Sequence, residues 1–213
     1  MVEVSNTARM YDLTPRELRL LRSLDTPVKV QKFLDSIPYN TEDDGVDTLR
    51  SPRRVIRDRT AHCAEGALFA AAAFRVNGKP PLLIDLESTR DDDHILAPYR
   101  DRGLWGAVAT SKFAGLRFRA PVYRTPRELV MSYFEDYYNW AGERTLRGFA
   151  GPISLVPFDR DKWMTSEADV WSVVEHLASI KHTPLIPKAT AGRLPRLDRR
   201  SYASGVLGAP KRH

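Results

Sequence analysis

Cys63-Ala64-Glu65-Gly66-Ala67-Leu68-Phe69-Ala70-Ala71-Ala72-Ala73-Phe74 is apolar on nearly every side, interrupted only by Glu65 and Gly66. A helix with one apolar stripe lies against a core, whereas a helix apolar all round is enclosed by it. The stretch therefore predicts a central, buried helix, with Cys63 in its first turn. Asn77-Gly78 suits the left-handed turn that ends helices, and Pro80-Pro81 forbids continuation.

Outward from this helix the pattern changes period. Leu82-Leu83-Ile84-Asp85-Leu86 predicts a strand, and residues 95–99 and 104–108 predict two more. Arg100-Asp101-Arg102-Gly103 between them is a polar tip of hairpin length, with a glycine for positive φ. Residues 113–123 alternate loosely and suit an edge strand or an extended loop. Upstream, Thr14-Pro15-Arg16-Glu17 and Thr26-Pro27 read as capped helix starts. Leu18, Leu21 and Leu24 form one apolar face, and Val30, Phe33, Leu34 and Ile37 the next. A polar turn spans residues 40–47, and a single helical turn is expected at 53–59. Thr125-Pro126-Arg127-Glu128 starts a helix that runs into the aromatic residues Tyr133, Phe134, Tyr137 and Tyr138, an expected core or lid. A last helix is expected over 166–179, with Val170, Val173, Val174 and Leu177 on one face. The expected class is α+β: a central helix packed on an antiparallel sheet, with flanking helices.

The chain of 213 residues has room for one domain, expected over 1–180. Residues 181–213 carry eight Lys or Arg against one acid, Asp198, so this segment holds a charge of +7 within a total of +6. Its prolines and glycines suggest an extended, flexible tail, solubilising by default and open to an anionic partner. It matches no nucleic-acid motif. The longest apolar run, residues 67–74, is too short to span a bilayer, and the first residues lack the character of a signal peptide. The expectation is a cytoplasmic protein without a membrane partner. A single cysteine excludes an intrachain disulfide and a multi-cysteine zinc site. The five histidines lack metalloprotease spacing, and Asp91-Asp92-Asp93 lacks the glycine and distal Glu of a calcium loop, so no metal or cofactor is expected.

A thiol reacts as thiolate, and a helix N-terminus lowers its pKa through unpaired N–H groups and partial positive charge. Cys63 occupies such a position. A base must share its proton, and His94, opening the second strand, is the candidate. His62 competes by sequence, yet neighbours on a helix do not face each other, which argues that it points elsewhere. The plain alternative for Cys63 is a small buried hydrophobe.

Thr60-Ala61-His62-Cys63-Ala64-Glu65-Gly66-Ala67, followed by Phe74-Arg75-Val76-Asn77-Gly78-Lys79-Pro80, resembles the cysteine segment of transglutaminase-like proteins of the papain-like superfamily. His94 and Trp105 fall at the matching later places, so the resemblance covers about residues 30–112. It implies a papain-like core and a cysteine-dependent amidase, peptidase or acyltransferase. In it Cys63 attacks an amide carbonyl, as in a peptide, and His94 protonates the leaving amine. The oxyanion would meet the Cys63 N–H and a donor from the 39–48 loop. The family's third residue, an aspartate, corresponds here to Ala109 or Thr110. Strand alternation puts Trp105, Ala107, Ala109 and Ser111 on one face, which makes Ser111 the expected orienter of His94, with Asp92 or Asp93 as substitutes. The missing carboxylate leaves a second reading open, a binding module that keeps the fold without turnover.

Overall fold

The computed structural model describes residues 11–42 and 45–209. The first ten residues, part of the polar turn and the last two cations of the tail lie outside the described residues. Three helices come first: α1 (Pro15–Ser23), α2 (Pro27–Asp35) and α3 (Pro52–Asp58), each with proline in its first turn and a Thr or Ser cap. The cap oxygen takes an otherwise unpaired N–H, and proline has no N–H to leave unpaired there. The buried helix α4 (Cys63–Val76) follows, with every residue from Ala64 to Phe74 shielded from solvent.

The sheet is antiparallel throughout, in the order β4-β3-β2-β1-β5-β6. Its strands are β1 (Leu82–Ser88), β2 (His94–Asp101), β3 (Leu104–Val108), β4 (Arg119–Tyr123), β5 (Leu146–Ser154) and β6 (Thr183–Pro184). Strand alternation divides the core in two. Leu83, Ile95, Ala97, Tyr99 and Val108 join the cluster built around α4. Ile84, Leu86, Leu96 and Ala107 join the second cluster, with Leu129, Val130, Tyr133, Tyr137 and Tyr138. The aromatic residues expected as core or lid are core, and all four are buried. Their helix is shorter than expected: α5 (Pro126–Met131) stops early and a 3-10 turn (Phe134–Asp136) carries the chain onward. The α+β class and the helix-on-sheet packing are as expected.

Three further parts of the chain differ from the expectation. The strand β5 carries Gly148, Gly151 and Pro152, which read as turn signals, yet it pairs with β1 along nearly its whole length. Gly148 lets the Glu87 carboxylate and the Thr183 carbonyl come close, and Gly151 has φ 104° at an irregular step in the register. The last large helix, α6 (Trp171–Ser179), begins later than expected, because Val170 and Asp169 instead bond the backbone of Leu49. The basic segment is not extended: it forms β6, α7 (Lys188–Ala191) and α8 (Arg199–Gly205). Leu185 is buried, and Tyr202 donates to the Trp140 carbonyl at 3.1 Å while its own carbonyl accepts from Tyr138 at 3.2 Å. Among the described residues no helix is long and apolar enough to cross a membrane.

Gly66 sets how closely α4 approaches the sheet. A Cβ at this position would lie 2.8 Å from the Thr110 Cβ and overlap its hydroxyl oxygen. Gly66→Ala therefore forces the helix start and Thr110, just past the end of β3, apart at about 1–3 kcal/mol of overpacking. Helix propensity returns about 1 kcal/mol of this. We expect Gly66→Ala to lower the melting temperature, and Thr110→Gly, which removes the opposing atoms, to restore it in the double variant.

Candidate active site

The site begins at the cap of α4. His62 has extended backbone (φ −89°, ψ −173°), so it precedes the helix instead of belonging to it. Its Nδ1 accepts the Ala64 N–H at 3.2 Å, while the Glu65 carboxylate accepts the His62 N–H at 2.9 Å. This is a capping box with imidazole in place of the usual hydroxyl. Neighbours within a helix point apart, but the side chain of a cap residue folds back over the first turn. His62 therefore stands beside the Cys63 thiol, contrary to the sequence expectation.

Glu65 is wholly buried, and its surroundings explain how a charge is tolerated there. It accepts from the Thr48 hydroxyl at 2.9 Å, the Arg50 N–H at 2.9 Å and the Arg50 guanidinium at 3.1 Å. A paired, fully hydrogen-bonded carboxylate can remain ionised in a core. The consequence is positional: Glu65 ties the loop before α3 to the first turn of α4. His62 completes the tie by donating from Nε2 to the Thr48 carbonyl at 2.7 Å. The same loop pairs with the chain before Cys63 through a parallel bridge between Tyr39 and Ala61. That bridge sets the Tyr39 phenol against the backbone N–H of Cys63. Burial, and then the nearby thiolate, hold the phenol's pKa above its ordinary value, so it keeps its proton and remains a donor.

His94 opens β2 and is buried beneath the same turn. Its Nε2 donates to the Leu116 carbonyl at 2.9 Å, and its ring meets Tyr137 edge-on at 6.3 Å between centroids. With Nε2 so engaged, Nδ1 is the nitrogen left for the thiol. The orienting acceptor is thus a main-chain carbonyl from the short turn Ala114–Leu116, in place of Ser111. The alternation that selected Ser111 stops with β3 at Val108, and the Ser111 hydroxyl accepts the Phe113 N–H at 3.0 Å within its own turn. Ala109 is buried with both backbone groups bonded to the Gln31 side chain. The two aspartates before His94 are also committed elsewhere. Asp93 accepts the Ser88 N–H at 2.7 Å, and the exposed Asp92 lies 3.8 Å from the Lys112 ammonium. The Asp93 carbonyl, 3.9 Å from the Cys63 sulfur, instead shapes the rim of the site.

Cys63 is half-buried between the two imidazoles. Burial pushes the thiol up, but hydrogen bonds from His62 and His94 and the charges of both rings outweigh it and bring Cys63 down to about 5. Burial pushes His62 down, and its bond to the thiolate, the thiolate charge and Glu65 reverse this, lifting His62 to about 9. Nδ1 can accept from Ala64 only while the ring is neutral, so the cap bond and the cationic ring are alternatives. The partial positive charge of the helix N-terminus favours the thiolate and works against the imidazolium. Among the described residues no group of three His, Cys, Asp or Glu side chains is placed to hold a metal ion.

The fold and site together define a class of arrangement: an antiparallel sheet that brings a histidine from a strand start to a cysteine in the first turn of a buried helix. Neither protein-family models nor curated proteins show a match to this chain.

Proposed function

We propose that the chain is a cysteine-dependent acyl-transfer enzyme, an amidase, peptidase or transglutaminase-like protein on a papain-like core. The observation that carries this reading is Cys63 in the first turn of α4, lowered to about 5 by two imidazoles. A structural cysteine in apolar surroundings shifts the other way. In the proposed reaction the Cys63 thiolate adds to an amide carbonyl, giving a tetrahedral oxyanion met by the Tyr39 phenol, whose oxygen accepts the Cys63 N–H. Nδ1 of His94 gives its proton to the leaving amine as the C–N bond breaks, and the acyl group remains on sulfur as a thioester. Neutral His94 then takes a proton from water or from a second amine, which attacks the thioester and regenerates the thiolate. His62 holds the thiolate as a cationic neighbour, and Glu65 holds His62. A cytoplasmic, reducing setting suits a lone reactive thiol.

The second reading, a binding module without turnover, draws on His94 having a neutral carbonyl as its partner where a carboxylate would stabilise the imidazolium more strongly. Amine release from a panel of peptide amides separates the two. Turnover that disappears in Cys63→Ala and falls by about 10²–10⁴ in His94→Gln supports the enzyme. Tyr39→Phe is expected to lower the acylation rate about 10²-fold, the effect of removing one oxyanion donor. Saturable binding of the same peptides with wild-type release no faster than that of Cys63→Ala supports the module.

A further inference from the structure

Away from the thiol, a pocket of about 450 Å³ lies between the end of β1, the start of β5 and the basic segment. Four arginines line it, Arg90, Arg144, Arg147 and Arg196, against one carboxylate, Glu143. That carboxylate is shared: it lies 3.0 Å from Arg90 and 3.7 Å from Arg196. Arg144 is satisfied by Glu135 at 2.7 Å and by the Pro195 carbonyl at 2.7 Å. Arg147 is different. Among the described residues its guanidinium has one hydrogen bond, to the Leu146 carbonyl at 2.8 Å, and no ion pair. A guanidinium has five N–H donors, so Arg147, half-buried on the pocket wall beside another cation, keeps most of them for solvent or a ligand. Burial and the charge of Arg90 also lower its pKa.

We infer that this pocket is a binding site for a small oxyanion-bearing molecule, phosphoryl or carboxylate, gripped by the Arg147 fork with Arg90 and Arg196 beside it. Planar guanidinium groups match oxyanions bidentately, and such charge-assisted bonds are about twice as strong as neutral ones. The volume falls in the range of small-molecule pockets. Among the described residues the walls contain no aromatic ring on which a base could stack, which distinguishes the site from a single-stranded nucleic-acid groove. The basic segment supplies Arg196 and a wall at Gly192 and Leu194, so docking of that segment completes the site. Nothing in this pocket depends on the thiol chemistry.

The test uses the full chain, with pyrophosphate and citrate as separate probes followed by calorimetry and thermal shift. The expected result is saturable binding of at least one probe, weakened about tenfold or more in Arg147→Gln. Arg196→Gln, at an exposed residue, provides a second variant that retains the fold and is expected to weaken binding in the same direction. Pyrophosphate alone identifies a phosphoryl ligand, and citrate alone a carboxylate one. Cys63→Ala is expected to bind as wild type. A shift reproduced by sodium chloride at matched ionic strength overturns the inference, as does wild-type affinity in both arginine variants.

Discussion

Alkylation of Cys63 by iodoacetamide is expected to rise with pH through a midpoint near 5, where an ordinary cysteine rises near 8.5. The sign follows from which form reacts. Below the midpoint the thiol holds its proton and is inert; above it the thiolate persists because two imidazoles and the helix N-terminus favour the charge. At pH 6.5 an unperturbed thiol is about 1% ionised, so the thiolate fraction at Cys63 is about 100-fold larger. Intrinsic nucleophilicity falls as thiol pKa falls, with a Brønsted slope of about 0.4–0.5, and this cancels much of the gain in absolute rate. The midpoint is therefore the quantity to measure. A second, smaller upward step is expected near 9, where His62 loses its proton and releases the thiolate from its cationic neighbour. His62→Asn keeps a capping side chain but no cation, and is expected to raise the first midpoint by about 1–2 units. His94→Gln is expected to do the same. A profile centred near 8.5 in the wild-type chain contradicts the electrostatics of the site.

The second large effect falls on stability. Glu65→Ala removes a buried carboxylate that receives hydrogen bonds from His62, Thr48 and Arg50, and it leaves Arg50 without its buried partner. Breaking a buried ion pair from one side costs about 3–5 kcal/mol, a large share of the roughly 5–15 kcal/mol that holds a domain folded. Urea unfolding at neutral pH is expected to show this loss as a lower midpoint. Glu65→Gln keeps the shape and one acceptor, so its loss is expected to be smaller. A thiol profile measured on Glu65→Gln reports position separately from stability. If Glu65 places the cap, the midpoint of Cys63 moves upward even where the chain remains folded.

Sequence and structure agree and part along a physical line. The buried helix is legible because an all-round apolar run of this length is too long for a typical strand and too short for a membrane span, and Cys63 falls in its first turn as read. The first three strands and the start of β2 at His94 follow from the same periodicities. The strand β5 is not legible because its glycines and proline serve close approach and an irregular register, which locally resemble turn signals. The acceptor on His94 leaves no mark in the sequence either: a main-chain carbonyl at Leu116 belongs to every residue type. His62 departs from its expected direction for a subtler reason. The spacing His62-x-x-Glu65 is that of a capping box, a signal that places the imidazole outside the helix and over its first turn. The basic segment looks extended in sequence because its prolines and glycines read as breakers, while its sparse apolar residues, among them Leu185, Ile186, Leu194, Leu197, Tyr202 and Val206, pack on the second core cluster.

The central claim is that Cys63 is a nucleophile able to hold an acyl group. The most direct measurement is peptide-mapping mass spectrometry of the chain after rapid acid quenching from p-nitrophenyl acetate at about pH 6, where ordinary thiols and amines are protonated and slow. The predicted result is an acetyl group confined to the peptide bearing Cys63, formed in a burst and absent from His94→Gln on the same timescale. An unmodified Cys63 peptide, or acetyl groups spread over lysines with Cys63 untouched, contradicts it.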